Sequence, residues 1–125
     1  MEITIPINTK GHKDYKVQEC DTALAMGSGD VSVLATPKLL ALMEEVSSRS
    51  IKEYLPEGYT SVGVEMHVQH LKSSKIGEQI IIDSDFCKQE GRKLYFHVIA
   101  TSEGEKIGEG DCNRFIVNKN KFENK

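Results

Sequence analysis

The stretch VLATPKLLALMEEVSSRS, residues 33–50, decides the architecture. Thr36 suits a helix N-cap, Pro37 suits the first turn, and Pro56-Glu57-Gly58 is the next strong breaker. A single helix is therefore predicted from about Thr36 to Leu55. On a wheel of about 100° per residue, Leu40, Met43, Ser47, Ile51 and Tyr54 gather into one stripe. Lys38, Glu45, Arg49, Lys52 and Glu53 gather opposite it. Glu44 falls about 40° from Leu40, inside the stripe, and Thr36 lies about 40° off on the other flank. A carboxylate turned towards a core is costly unless something there receives it. Read alone, Glu44 is either a partly exposed side chain at the stripe's edge or a carboxylate with a task.

The segments around the helix set the fold class. Residues 61–117 divide into four strands, with glycine-containing turns at SSKIGE, QEGRK and SEGEKIGEG, the pattern of an antiparallel meander. Upstream, EITIPI reads as a short strand, HKDYKVQ alternates weakly, and DTALAMGSGD is turn-rich. One long helix beside such strands predicts an α+β two-layer domain, an antiparallel sheet of about five strands around the helix. Residues 1–125 make one domain, whose sheet edges need a partner or cover. GEGD at residues 108–111 reads as a strand bulge or a close approach of two backbones.

The strand after the helix bears on Glu44. In SVGVEMHVQH, the residues Val62, Val64, Met66 and Val68 share one parity and form an apolar row that His70 ends. His67 has the other parity and joins Ser61, Glu65 and Gln69 on the polar row. An inward glutamate, an inward histidine and a threonine at the helix start are the parts of a proton-transfer site.

Composition excludes several classes. The net charge is −3, so there is no basic surplus to neutralise a nucleic-acid backbone. No apolar run reaches the length of a membrane span, and the N-terminus does not read as a signal peptide. Cys20, Cys87 and Cys112 are unpaired in number and form no CxxC, which fits reduced thiols and a cytoplasmic location. His12, His67, His70 and His97 lack metal-ligand spacing, so no metal is expected. No phosphate-binding glycine loop is present.

VLATPKLLALMEE, SVGVEMHVQHLKSSKIGE, EGRKLYF and IGEGDCNRF together resemble the hotdog-fold thioesterases, and most of all the fluoroacetyl-CoA thioesterase group. The resemblance runs from about Val31 to Val117. It implies hydrolysis of a small acyl-CoA thioester at a site of Thr36, Glu44 and His70, with Gly63 and Arg114 as substrate-binding residues. Arg114 on its own reads equally as a clamp for a substrate carboxylate or phosphate and as a surface strand arginine. Coenzyme A enters as part of the substrate, with no separate cofactor. The resemblance also implies a homodimer joined through its sheets, with CoA across the interface; in one arrangement His70 faces a neighbour's Thr36. The group caps its acyl pocket with aromatic residues upstream of the threonine, and DTALAMGSGDVSVLA has none, so a different acyl group is expected here. Hotdog domains also include acyl-thioester dehydratases and non-catalytic acyl-CoA binders, which are the two alternatives to a hydrolase.

Overall fold

The computed structural model describes residues 2–124. In chain order the elements are β1 (Lys10–Lys16), α1 (Ala23–Met26), α2 (Thr36–Ser50), β2 (Tyr59–His70), β3 (Gln79–Glu90), β4 (Lys93–Ser102), β5 (Glu105–Asn118) and α3 (Lys119–Glu123). Short 3₁₀ turns lie at Glu19–Asp21 and Lys52–Tyr54. The strands form one antiparallel sheet in the order β1-β3-β4-β5-β2, and α2 packs across it. This is the expected α+β two-layer arrangement.

The meander holds only in part. β3, β4 and β5 follow one another through tight turns, and Glu103 and Gly104 both take positive φ, as the mirror-image hairpin turns require. β2 instead pairs with β5 at the far edge, so the chain crosses the sheet between β2 and β3. Upstream, HKDYK is the core of β1, whereas EITIPI forms no strand. Pro6 has no N–H to give a ladder, and Ile5 is buried with its N–H donating to Gln89 Oε1 at 2.9 Å.

The helix ends at Ser50, before the 3₁₀ turn, and its buried face is Leu39, Leu42, Met43, Val46 and Ser47. The stripe is thus centred on Leu39 and not on Leu40, which is only half-buried. The bulkiest apolar side chains lie on that flank, and each one fully buried contributes about 1.5–3 kcal/mol. They meet Ile80, Ile82, Phe96, Val98 and Ile107 from the sheet. Ile51 is fully buried as expected, while Tyr54 is exposed. Rotating the stripe leaves Glu44 at its rim, 40% exposed.

Of the three register shifts in the sheet, one leaves Cys87 extra on β3 and the other two bear on the site. Between Gly63 and Glu65 the register of β2 on β5 shifts, leaving Val64 without a partner. The bulge reverses the parity: Ser61 is buried and Val64 is 52% exposed, the opposite of the expected assignment. Beyond it Met66, Val68 and His70 turn inward as predicted, and His67 is exposed. A second shift occurs where Ala100 pairs with Gly108 but Thr101 with Lys106, which leaves Ile107 extra on β5. The bulge thus falls just before GEGD, and within GEGD it is Gly110 that makes a close approach, since a Cβ there would run into the backbone of His67 and Val68.

Candidate active site

Thr36 and His70 are brought together by backbone stitching. Leu34 N–H donates to the Ser74 carbonyl at 2.9 Å, and Val33 bridges to Lys75, which ties the entry of α2 to the loop after β2. The carbonyl of the bulged Ile107 accepts from Leu71 N–H at 2.7 Å and from Lys72 N–H at 3.2 Å, pinning the chain just beyond His70. Thr36 Oγ1 and His70 Nδ1 then lie 2.8 Å apart, in one chain. The pair is therefore not built by a neighbour's Thr36.

Thr36 is free to make this bond because it is not the N-cap. That position belongs to Ala35, with Thr36 and Pro37 as the first helical residues. Ala35 N–H donates to the Asp21 carbonyl at 2.9 Å. The buried Asp21 carboxylate accepts from Tyr15 at 2.6 Å and from Gln18 N–H at 2.8 Å, with Lys38 Nζ at 3.5 Å. Burial acts to raise its pKa, but these partners together hold it below the usual aspartate value. Tyr15 is pushed up to about 12 by burial and by the same carboxylate. Asp21 was not singled out in the sequence, where it looks like one more polar residue of a turn.

His70 is half-buried, and burial pushes its pKa below 6.5, with the Lys72 backbone working weakly the other way. Nε2 is buried and has no hydrogen-bond partner among the described residues. The ring is consequently neutral near pH 7. In the tautomer protonated at Nε2, the Thr36 hydroxyl donates to Nδ1. The pair faces a cleft of about 360 Å³ lined by Ala23, Ser28 to Val31, Val33 to Pro37 and His70 to Ser73, with no Phe, Tyr or Trp among them.

Glu44 stands elsewhere, about 12 Å further along α2 by its rise per residue. Its carboxylate lies against Gly63: a Cβ there would collide with Glu44 Oε2 and sit 3.2 Å from Cδ. Arg114 Nη1 donates to the same oxygen at 3.3 Å. Arg114 is no surface arginine, its side chain being 8% exposed. Nε donates to Ser61 Oγ at 2.8 Å and Nη2 to the Ser61 carbonyl at 2.9 Å, so the guanidinium is locked behind the carboxylate. Glu44 itself keeps 40% of its side chain exposed, at the rim and not in the core. Within one chain, then, the five candidate residues form two groups, Thr36 with His70 and Glu44 with Gly63 and Arg114.

The sequence profile of the fluoroacetyl-CoA-specific thioesterase family, FlK, matches residues 17–120. The chain belongs to this family. The fluoroacetyl-CoA thioesterase of Streptantibioticus cattleyicolor is 30% identical over 90 residues, 72% of this chain and 65% of the relative, a little under two thirds of that protein's length. A solved structure of the fluoroacetyl-CoA thioesterase superposes with a TM-score of 0.90 at 24% identity, covering 97% of this chain and 94% of the other. A thioesterase superfamily member from Thermus thermophilus superposes at 0.89 with 28% identity, over 97% and 90%. A hot-dog-like protein from Thermanaerovibrio acidaminovorans gives 0.88 at 22% identity, over 96% and 89%. The fold is the hotdog fold. Among the described residues no helix is long and apolar enough to cross a membrane, and no group of three or more His, Cys, Asp or Glu side chains is placed to hold a metal ion.

Proposed function

We propose that this family member is an acyl-CoA thioesterase acting on a small acyl group, with Thr36, His70 and Glu44 as its catalytic residues. The observation that carries the reading is the 2.8 Å bond between Thr36 Oγ1 and His70 Nδ1 at the mouth of an open cleft. A neutral imidazole that accepts from a hydroxyl is a competent base. It takes a proton from water as that oxygen attacks the thioester carbonyl, and the C–S bond then breaks so that the coenzyme A sulfur leaves with that proton. If Thr36 attacks instead, the same steps leave an acyl ester on Thr36, which a water deprotonated by His70 hydrolyses to the carboxylic acid and the free hydroxyl. The match to a thioesterase family, together with a hydroxyl as the side-chain partner of His70 within one chain, favours the hydrolase over an acyl-thioester dehydratase. Coenzyme A arrives as part of the substrate, and no further cofactor is invoked. The cleft has no Phe, Tyr or Trp in its lining, which supports a small acyl group other than fluoroacetyl. The three free thiols are consistent with a reducing, cytoplasmic setting.

A homodimer accounts for the two separated groups. β2 is an edge strand with an unpaired ladder side, flanked by the exposed Val31, Val64 and Leu71. If two copies pair antiparallel about a twofold between Met66 and His67, His70 of one chain comes opposite Gly63 of the other. Glu44 and Arg114 of one copy then approach Thr36 and His70 of the second. Arg114 acts by holding the Glu44 carboxylate, and Gly63 leaves bare backbone beside it for the acyl group.

The test is CoA release from a panel of short and branched acyl-CoAs by wild type, Thr36→Ala, Glu44→Gln and His70→Ala, followed by chromatography because the exposed Cys20 and Cys87 would consume a thiol dye. Turnover of one acyl-CoA, lost by orders of magnitude in His70→Ala and Glu44→Gln, supports the reading. Binding without release in the wild type would make the chain a non-catalytic acyl-CoA binder.

A further inference from the structure

The start of β2 carries a feature that the reaction leaves unused. Two adjoining clefts of about 340 and 280 Å³ share Tyr59 and Phe122 as walls. Arg92 and Lys121 line the first, Lys52 and Lys119 the second. The chain as a whole is acidic, with 19 carboxylate residues against 16 cationic ones. Here the balance reverses, since Glu123 is the one carboxylate among the residues lining either cleft. None of the four cations enters an ion pair among the described residues, whereas Lys10, Lys13, Lys38, Lys72, Lys88, Lys93 and Lys106 all do.

The cluster is also shaped. The Arg92 guanidinium lies 5.4 Å from the centre of the Tyr59 ring, and its carbonyl is held by Ile116 N–H at 2.8 Å. Asn118 first, then Arg92 and Lys121, hold the Tyr59 phenol below its ordinary 10.0. Aromatic faces stack on a nucleobase, and an arginine fork with mobile lysines suits phosphate. The position is as telling as the chemistry. Tyr59 precedes Gly63 by four residues on the same strand, about 13 Å at strand rise, a distance that an extended pantetheine arm spans.

We propose that this cleft pair receives the 3′-phosphorylated adenosine diphosphate end of coenzyme A, while the thioester lies at Glu44 and Gly63. The assignment rests on the acyl-CoA reading of the site and gives that substrate its direction: acyl group towards His70, nucleotide towards the chain's last helix.

Calorimetry on the full chain tests it with CoA, dephospho-CoA, ADP and inorganic phosphate. The proteins are wild type, the Arg92→Ala/Lys121→Ala double variant and, should that variant melt early, the exposed single change Lys121→Glu. Wild type is expected to bind CoA about tenfold more tightly than dephospho-CoA, and the double variant to lose about tenfold in CoA affinity together with that preference. The ratio of kcat/KM for acyl-CoA to that for the matching acyl-pantetheine should fall by a similar factor. CoA affinity unchanged in the folded variants overturns the assignment. So does competition by ADP or phosphate as strong as by CoA, which marks a general anion patch. If CoA binds through these residues and no acyl-CoA is hydrolysed, the thioesterase reading fails while the subsite stands. If hydrolysis proceeds and the variants match wild type, the subsite alone falls.

Discussion

Thr36 and His70 lie 34 positions apart in sequence, yet their side chains meet at 2.8 Å because the chain is fastened on both sides of the contact. Ser74 and Asp21 hold the approach to the helix, and the Ile107 bulge holds the end of the strand. The hydrogen bond is therefore preorganised, so removing either partner should act on chemistry more than on folding. His70→Ala is expected to lower kcat by about 10²–10⁴ with a far smaller change in melting temperature. Thr36→Ala separates two routes: a loss as large as that of His70→Ala indicates an acyl-threonine intermediate, and a modest loss indicates direct water attack. Rapid-quench trapping of labelled acyl-protein distinguishes them.

The pH dependence follows from the burial of His70. Its folded pKa lies below 6.5, so the base is already neutral at pH 7. On the acid side, kcat/KM should decline through a single ionisation below 6.5. Stability has a matching sign. Between the folded pKa and 6.5 the unfolded chain holds a proton on this ring that the folded chain lacks, so stability falls as pH drops through that window and levels off beneath it. Urea titrations of wild type and His70→Asn from pH 7.5 downwards should show the extra acid loss only in the wild type. Equal slopes would mean that the imidazole is freely solvated.

Much of this arrangement was legible in the sequence, and the failures share one cause. Periodicity located α2, and glycine-bearing turns separated β3, β4 and β5, because these are local properties. Spacing alone centres the stripe on Leu40 and not on Leu39, because it gives no weight to which apolar side chains the sheet has room for. Residue type favours Thr36 as the N-cap, while the acceptor that holds Ala35 in that position, Asp21, comes from another segment. The Val64 bulge was invisible for the same reason: a bulge exists only relative to the residues of β5 opposite it. Missing it put Ser61 on the wrong face and hid the anchor of Arg114.

Gly63 offers a check on the second group. A methyl there would strike the Glu44 carboxylate, the end of a side chain that can swing aside, and not fixed backbone. Gly63→Ala should therefore fold with a melting temperature near that of wild type while losing activity, since Glu44 would leave its place beside Arg114. Gly110→Ala should do the reverse, because its added Cβ meets the His67 and Val68 backbone, which has nowhere to go. A drop of about 2 kcal/mol or more is expected for that change, read by urea denaturation.

The proposed twofold makes the strongest demand on the site. If Glu44 serves the Thr36–His70 pair of the other copy, Glu44→Gln and His70→Ala homodimers are both inactive, each lacking one component at both sites. A mixed dimer of the two variants assembles one intact site, with Glu44 from the His70→Ala chain and His70 from the Glu44→Gln chain. Its other site lacks both groups. Random exchange at equal concentrations makes half of the dimers mixed, so activity should return to roughly a quarter of wild type. Refolding the two variants together and assaying the mixture against each alone measures this directly. Recovery would assign the carboxylate to the neighbouring chain, whereas a mixture as inactive as its parents would mean that each chain supplies its own Glu44 and that the two groups close on one another by movement of α2.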